Sequence, residues 1–194
     1  MRYLGRLEMI KRLFDITAAS AALVCTSPIL ITTPILIKAT SKGPVFFKQQ
    51  RLGKDGDIFP IYKFRTMTDK SRDFNNQVHS KDDEITRIGK VIRRLKIDEL
   101  PQLFNVLIGD MSLVGPRPCL PSLKEEFNQD AEKRLLVRPG LTGLAQVNGN
   151  IYLSWEERWQ FDRKYVEEQS LSLDLKIILK TILIVVCGEE WGKK

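Results

Sequence analysis

The sequence predicts an α+β protein, in which a mostly helical cytosolic domain with a small β-hairpin carries one N-terminal re-entrant membrane helix and interfacial amphipathic helices. Three observations support this fold class. The uncharged run from Ile16 to Ile37 is long enough to cross a bilayer. Two short apolar runs flank a turn rich in Gly and Asp, which is typical of a hairpin. Apolar residues recur at helical spacing in several later segments.

The charges around the uncharged run conflict with a straight crossing. Cytoplasmic flanks are normally rich in Lys and Arg, yet Lys11 and Arg12 precede the run while Lys38 and Lys42 follow it. A helix that enters the membrane and returns to the same face removes this conflict. A kinked single crossing is the alternative. A cleaved signal peptide is disfavoured because its apolar region usually spans only about 7–15 residues.

Ser27-Pro28 in the middle of the run marks the expected break. Proline removes a backbone hydrogen bond and clashes with the preceding turn, and the Ser27 hydroxyl is suited to bond the carbonyl that is freed. Pro34 adds a second irregularity. We therefore predict a re-entrant helix hairpin over residues 1–42, broken at Ser27-Pro28, and a membrane-associated cytosolic domain over residues 43–194.

The later elements follow from local patterns. Strands over residues 45–49 and 58–64, joined by a turn over 53–57, form the predicted hairpin. Residues 68–83 are predicted to be a loop, and helices are predicted over residues 85–96, 99–108 and 171–187. The last helix is apolar on one side, which suits a helix in the membrane interface. A helix that packs on the domain core is the alternative.

Composition narrows the partners. The net charge of +7 favours anionic partners, namely nucleic acid, anionic lipid or a phosphorylated substrate. A merely basic soluble protein is the simpler alternative. Cys25, Cys119 and Cys187 are far apart, and His79 is the single histidine. A zinc site and a disulfide scaffold are therefore disfavoured, and a reducing compartment is expected.

The adjacent pair Asp98-Glu99 is the main candidate for chemistry. It follows an amphipathic helix that ends in basic residues, including Arg93, and it precedes Pro101, which indicates a new helix start. Carboxylates close to arginines are suited to hold Mg²⁺ or to attack a phosphate. Asp98 as a simple N-cap is the structural alternative.

Three further features favour a phosphate ligand. Arg117 lies between two prolines on a stiff loop, and its guanidinium matches phosphate oxygens. The segment 137–149 combines glycines with Arg138, which suits close approach to an anion. Lys63 and Arg65 alternate with aromatic residues, which on a strand places both cations on one face. A rigid connection, ordinary turns and a solvated face are the respective alternatives.

These motifs, in this order, resemble the bacterial sugar transferases, specifically the small monotopic polyprenyl-phosphate phosphoglycosyl transferases. The resemblance runs from about residue 11 to about residue 184. The segments that carry it are Lys11–Asp15, Thr26–Pro28, Tyr62–Met67, Leu95–Asn105, Gly109–Ser112, Gly115–Pro118, Arg138–Gly149 and Ser154–Glu156. We expect the form of the family without additional N-terminal membrane helices.

The resemblance implies transfer of a phosphosugar from a UDP-sugar to undecaprenyl phosphate, with release of UMP, at the cytosolic face of the bacterial inner membrane. It implies that Asp98 is the nucleophile, that Glu99 assists as a metal ligand or by helping the acceptor to attack, and that Mg²⁺ is required. Lys63, Arg93 and Arg117 correspond to the family's phosphate-contacting or functionally required cations. Anionic membrane lipid is a further expected partner, and self-association is common among such membrane enzymes.

This chain departs from the family pattern at one position. The family often carries an arginine after Val-Asn-Gly, where this chain has Asn150, and this difference bears on which sugar is accepted. A non-catalytic membrane-tethered scaffold that binds anionic lipid or a partner enzyme is the alternative function. Nucleic-acid binding rests on charge alone and is disfavoured, because aromatic residues for base stacking make up only 8% of the chain.

Overall fold

We describe a computed structural model of residues 2–68 and 84–188, with side chains from residue 8 onward. Six α-helices and four β-strands form in these residues, together with several short 3-10 turns. In chain order they are α1 (Arg2–Thr40), β1 (Phe46–Leu52), β2 (Ile58–Phe64), α2 (Arg87–Arg94), α3 (Gln102–Ile108), β3 (Ser112–Val114), α4 (Gln129–Lys133), β4 (Gly140–Thr142), α5 (Trp155–Glu168) and α6 (Leu171–Cys187). The predicted mixture of helices with a small hairpin is confirmed.

The hairpin pairs β1 with β2 in antiparallel register, from Phe46 opposite Phe64 to Leu52 opposite Ile58. Its turn is a 3-10 turn over Lys54–Gly56. Strand β1 starts one residue later and ends three residues later than predicted. The second sheet, in which β3 and β4 pair in parallel, was not predicted, because two strands of three residues leave no periodic signal.

Helix starts follow ordinary capping chemistry. Thr86, Ser154 and Ser170 cap α2, α5 and α6, and each side chain accepts a hydrogen bond from the backbone N–H three residues later. Helix α6 has the bounds that the sequence predicts. Helices α4 and α5 were not predicted, and most of the predicted loop over residues 68–83 lies outside the described residues.

Helix α1 continues through both prolines, so the predicted division into two helices at Ser27-Pro28 is not found. The predicted role of the serine explains how the helix continues. Pro28 has no N–H to bond the carbonyl of Val24 four residues earlier, and the Ser27 hydroxyl donates to that carbonyl at 2.7 Å. The helix from Glu8 to Thr40 is long and apolar enough to cross a membrane.

One stripe of α1 packs on the rest of the protein along most of its length. Lys11, Asp15, Ala19, Thr33 and Ile37 are buried at multiples of about one helical turn. Further side chains on this stripe pack on the core clusters; they are Phe14, Ala18, Ala22, Leu23 and Leu30. The opposite face is exposed and apolar. The helix therefore lies against the domain instead of projecting from it.

Polar contacts fix both ends of this packed stripe. Near the start, the Lys11 ammonium contacts the buried Asp174 carboxylate of α6 at 2.6 Å. Asp15 accepts from the Ser112 hydroxyl at 3.0 Å, and Arg12 donates to two carbonyls near the end of α3. Both the Lys11–Asp174 pair and the Asp15 bond are buried, so separating α1 from the domain would leave unpaired charges.

The far end of α1 contacts the same domain. Ile37 forms a buried cluster with Phe64 of β2 and Ile92 of α2. The Arg65 guanidinium donates to the carbonyls of Ser41 and Lys42, which follow the helix. Both flanks of the uncharged run therefore dock on one domain.

Candidate active site

Asp98 and Glu99 lie on a 3-10 turn, Ile97–Glu99, between α2 and α3. Lys96 precedes this turn in the left-handed region, with φ of 56°, and this turns the chain sharply between the two helices. Pro101 occupies the cap position of α3, and no side chain caps that helix. The N-cap interpretation of Asp98 is therefore wrong, as is the predicted helix start at Glu99.

Glu99 is held by two cations from distant segments. Its Oε1 lies 2.7 Å from the Lys63 Nζ of β2 and 2.6 Å from the Arg117 Nη2, which follows β3. Burial would by itself raise the pKa of Glu99, but Arg117 and Lys63 outweigh it and hold that pKa well below its ordinary value. Glu99 is therefore ionised and fixed in place.

Asp98 has the opposite character. Its Oδ1 is buried and has no hydrogen-bond partner in the described part of the chain. Burial, followed by the neighbouring charge of Glu99, raises the pKa of Asp98, while Lys63, Arg93 and Lys96 oppose the shift. One carboxylate is thus immobilised by cations, while its neighbour has a buried oxygen with no hydrogen-bond partner among the described residues. This difference could not be derived from the adjacency of the two residues in the sequence.

The structure gathers five of the seven predicted site residues in one place. Lys63, Arg117 and Glu99 are in direct contact, and Arg93 and Lys63 are close enough to Asp98 to lower its pKa against the effect of burial. The Arg93 guanidinium is oriented by a 2.7 Å hydrogen bond from its Nε to the hydroxyl of Thr66. Strand β2, helix α2 and the loop after β3 therefore converge on the turn that carries the dyad.

Arg65 and Arg138 are the two predicted residues that the structure places elsewhere. Strand β2 ends at Phe64, so Arg65 does not continue the face of Lys63 and instead caps the end of α1. The Nε of Arg138 donates to the carbonyl of Gly109 at 2.9 Å, where α3 ends. Both side chains act on helix ends, and neither contacts the dyad.

The glycines of segment 137–149 serve backbone packing. A Cβ at Gly140 would lie 2.0 Å from the nitrogen of Gly115, and a Cβ at Gly143 would lie 2.1 Å from the oxygen of Gly115. These distances are far below any normal contact, so glycine is required where β3 and β4 approach. The structure thus favours the structural interpretation of this segment. Asn150 lies in the left-handed region with φ of 47°.

A group of charged residues near Arg117 was not predicted from the sequence. Burial and then Arg117 lower the pKa of Arg51 to about 10. Burial raises the pKa of Asp162 to about 6, although Arg134 and Arg158 oppose the shift. No local pattern marks these residues, because they come from β1, the turn after α4 and helix α5 and meet only in the fold.

Asp98 and Glu99 are the two predicted Mg²⁺ ligands, and the contacts of Asp98 suit this role better than those of Glu99. No group of three or more His, Cys, Asp or Glu side chains that could hold a metal occurs among the described residues. Mg²⁺ is commonly held by one or two carboxylates together with substrate phosphates and water, and the unpartnered Oδ1 of Asp98 fits that role. Both oxygens of Glu99 are already bonded to cations, so Glu99 would have to release one. The Mg²⁺ requirement stays a prediction.

Comparison with known proteins identifies the class. The family model described as bacterial sugar transferase matches residues 6–188. The chain belongs to this family, as the motifs around Asp98 and Arg117 predict, and it is therefore a transferase. The match includes every residue of the dyad and its cations.

Individual relatives agree with this class. The chain is 46% identical over 181 residues to the uncharacterised sugar transferase EpsL of Bacillus subtilis, covering 93% of this chain and 89% of EpsL. It is 44% identical over 186 residues to the UDP-N-acetylgalactosamine-undecaprenyl-phosphate N-acetylgalactosaminephosphotransferase of Aeromonas hydrophila, covering 92% of this chain and 44% of that enzyme. It is 43% identical over 181 residues to the UDP-glucose:undecaprenyl-phosphate glucose-1-phosphate transferase of Klebsiella pneumoniae. This match covers 89% of this chain and 39% of that enzyme. The chain thus spans less than half of each of these last two enzymes.

Replacing the two carboxylates by their amides should shift thermal stability in opposite directions. Because the pKa of Asp98 is raised, the protonated Asp98 side chain stabilises the fold at low pH, and this contribution is lost as pH rises from 3.8 through the raised pKa. At pH 7 the buried charge destabilises the fold, so Asp98→Asn should raise the Tm. Because the pKa of Glu99 is lowered, the ionised Glu99 side chain stabilises the fold above pH 4.5, and this contribution is lost as pH falls through the lowered pKa. Glu99→Gln should therefore lower the Tm at pH 7.

For Glu99→Gln we expect a loss of about 1.5 kcal/mol, the low end for charged hydrogen bonds because Arg117 is half exposed. The corresponding shift in Tm is roughly 3–6 °C. Thermal unfolding of the detergent-solubilised protein at pH 7 measures both variants. Equal destabilisation by the two amides would contradict the different environments described for Asp98 and Glu99.

Proposed function

We propose that this protein transfers a phosphosugar from a UDP-sugar to undecaprenyl phosphate, releasing UMP, through a covalent intermediate on Asp98. The observation that carries the proposal is the buried, unpartnered Oδ1 of Asp98 beside a Glu99 that two cations immobilise. The named activities of the Aeromonas and Klebsiella relatives support this donor and acceptor. The reaction would be the first membrane step in the synthesis of a bacterial glycoconjugate.

The proposed reaction has two displacement steps at the same phosphorus. In the first, an Asp98 carboxylate oxygen bonds to the β-phosphorus of the UDP-sugar, the phosphoanhydride bond breaks, and UMP leaves with the bonding electrons. In the second, a phosphate oxygen of the lipid attacks that phosphorus. The bond to Asp98 breaks, the carboxylate is regenerated, and the lipid carries the sugar on a diphosphate. Charge and atoms balance in each step without a further reactant.

The surrounding cations are suited to the charge on the donor. Lys63 and Arg117 would bind phosphate oxygens, and Glu99 keeps both of them in place before the substrate arrives. Preorganised charges cost no reorganisation at the moment of reaction. Asp98 would hold Mg²⁺, and the ion would supply positive charge that offsets the negative charge of the diphosphate.

A basic cavity near the dyad is suited to the phosphate of the acceptor. Three basic residues, Arg93, Arg94 and Lys96, line a cavity of about 210 Å³. Its other lining residues lie at the end of α6 and are Ile184, Val185 and Gly188. Pockets for drug-sized ligands occupy about 300–1,000 Å³, so this cavity suits a phosphate group better than a whole nucleotide sugar. Its apolar wall is compatible with an isoprenoid chain.

The packing of α1 supports a monotopic placement at the cytosolic face of the inner membrane, in which both ends of this continuous helix lie on the same side. A straight crossing would separate Lys11 from Ser41 by a hydrocarbon layer of about 30 Å, yet both regions contact the same domain. The exposed apolar side chains of α1 and α6 would face lipid, and they include Leu13, Ile16, Val24, Ile31, Ile35, Leu175, Leu179, Ile182, Leu183 and Val186. Helix α6 thus packs on the core through one face and would lie in the interface through the other.

Asp98→Asn should abolish UMP release from every UDP-sugar in a panel assayed with undecaprenyl phosphate and Mg²⁺, because an amide oxygen is a poor nucleophile toward phosphorus. Wild-type protein incubated with donor alone should retain radiolabelled sugar on Asp98, as shown by peptide mass spectrometry. Asp55→Asn, the same change at an exposed turn of the hairpin, is the matched control and should leave turnover unchanged. Full turnover by Asp98→Asn would refute the nucleophile, and membrane binding without turnover by wild-type protein would favour the scaffold.

Single cysteines at both flanks of α1 should report the same membrane side. Met9→Cys and Lys38→Cys, both at exposed positions, are introduced separately into a cysteine-free background. Both should resist a membrane-impermeant thiol reagent in intact spheroplasts and react after permeabilisation, because both flanks dock on the cytosolic domain. Reaction of Met9→Cys in intact spheroplasts would show a straight crossing.

Arg94→Gln should raise the KM for undecaprenyl phosphate about fivefold, which corresponds to roughly 1 kcal/mol for one exposed cation. The KM for the UDP-sugar should stay unchanged, because Arg94 does not contact Glu99 or its cations. Lys90→Gln removes the same charge from an exposed position of the same helix outside the cavity and should change neither constant. Equal effects of the two variants on the acceptor would instead indicate general attraction to anionic lipid.

A further inference from the structure

The loop Pro116–Cys119, which carries Arg117, has all four of its carbonyl oxygens bonded to donors from other segments. Backbone donors hold the two ends: the N–H of Gly140 bonds the carbonyl of Pro116 at 2.9 Å, and the N–H of Leu52 bonds that of Cys119 at 3.0 Å. Arginine side chains hold the two carbonyls between them. Four consecutive loop carbonyls held in this way leave the backbone very little freedom.

Arg134 holds the carbonyl of Arg117 itself. Its Nη2 donates to that oxygen and lies 3.3 Å from the Asp162 carboxylate of α5. The side chains of Arg134 and Asp162 are only 5% and 4% exposed, and the guanidinium lies 5.7 Å from the centre of the Phe127 ring. A buried arginine with a paired carboxylate and an aromatic neighbour has little rotational freedom, so it is a rigid support.

Arg51 supports the next residue of the loop. Its Nη1 donates to the carbonyl of Pro118 at 3.4 Å, and its Nη2 bonds the side chain of Gln49 at 2.5 Å. Strand β1 therefore supplies a second side-chain support for the loop, independent of Arg134. The cavity that the loop lines together with Leu52 and Arg134 is only about 10 Å³, which holds at most one water molecule.

We propose that Arg134, together with Asp162 and Arg51, acts as a positioning residue that holds the Pro116–Cys119 loop so that the Arg117 guanidinium is aimed at Glu99 and the donor diphosphate. The inference rests on the proposed function for the identity of the substrate. The orientation of the Arg117 guanidinium toward Glu99, however, is a property of the free protein. Arg134 itself makes no contact with the reacting atoms. A displacement of about 1 Å in such a group can cost on the order of 100-fold in rate.

A double-mutant cycle distinguishes positioning from general structural support. Arg134→Gln is expected to lower kcat/KM about 10- to 100-fold. In an Arg117→Ala background the same substitution should lower it less than threefold, because Arg134 acts through Arg117. Lys133→Gln, which removes an exposed cation from the neighbouring position, is the matched control and should leave kcat/KM unchanged. Multiplicative losses in the double variant, or an unaffected Arg134→Gln, would overturn the proposal.

Conservative variants keep the test valid if Arg134→Gln folds poorly. Arg134→Lys retains a cationic donor and should recover at least part of the lost kcat/KM. Asp162→Asn keeps the side-chain volume while removing the charge that holds Arg134, and it should lower kcat/KM with an unchanged Tm or a small shift. Full wild-type kcat/KM in Asp162→Asn together with no rescue by Arg134→Lys would contradict the support that Asp162 gives to Arg134.

A stability cycle tests the same proposal without turnover. The coupling energy between Arg117→Ala and Glu99→Gln in thermal unfolding should be clearly smaller in the Arg134→Gln background than in wild type. The reason is that the Arg117 side chain would no longer be held in contact with Glu99. Unchanged coupling would overturn the positioning role. Wild-type protein that releases no UMP from any UDP-sugar would refute the proposed function alone, and this coupling would still decide the role of Arg134.

Discussion

Glu99, buried between Lys63 and Arg117, is the interaction on which the arrangement of the site depends. A carboxylate removed from water costs several kcal/mol unless cations and hydrogen bonds compensate it. Here the compensation comes from β2 and from the loop after β3, while Glu99 itself lies between α2 and α3. Three segments distant in the sequence must therefore meet for this charge to be buried. Asp98, one residue earlier on the same turn, is presented with an unpartnered oxygen as a consequence of that meeting.

The same principle joins the long apolar helix α1 to the domain. The Asp174 carboxylate accepts from Lys11 of α1 and from the Tyr165 hydroxyl of α5, and that hydroxyl also contacts the carbonyl of Val114 at the end of β3. The Arg117 loop follows Val114 directly. One buried polar network thus connects α1 to the segment that carries a site cation. The proposed reaction between a soluble nucleotide and a lipid would need such a fixed relation between the site and the membrane surface.

Sequence patterns predicted the elements that local forces determine. The hairpin β1–β2 and the helix Leu171–Cys187 follow from alternation, turn residues and helical spacing, which depend on neighbours within a few positions. The division of α1 at Ser27-Pro28 was not found, because the Ser27 hydroxyl bonds the carbonyl that Pro28 leaves free. The parallel pair β3–β4 was missed because it depends on residues about 28 positions apart, from Ser112 to Gly140. The sequence left both phosphate binding and ordinary turns open for the nearby glycines, and the close contacts of Gly140 and Gly143 favour a role in this packing.

By itself, the sequence determined the class of protein, the long apolar helix, the dyad Asp98-Glu99 and most of the cations around it, because these are properties of residue type and order. Only the tertiary structure decided which of those cations reach the dyad. Lys63 and Arg117 contact Glu99, whereas Arg65 and Arg138 bond helix-end carbonyls. It also separated two adjacent carboxylates into one that is ionised and fixed and one with an oxygen that has no hydrogen-bond partner in the described part of the chain. Charge state and orientation depend on burial and on partners from distant segments, which residue order does not contain.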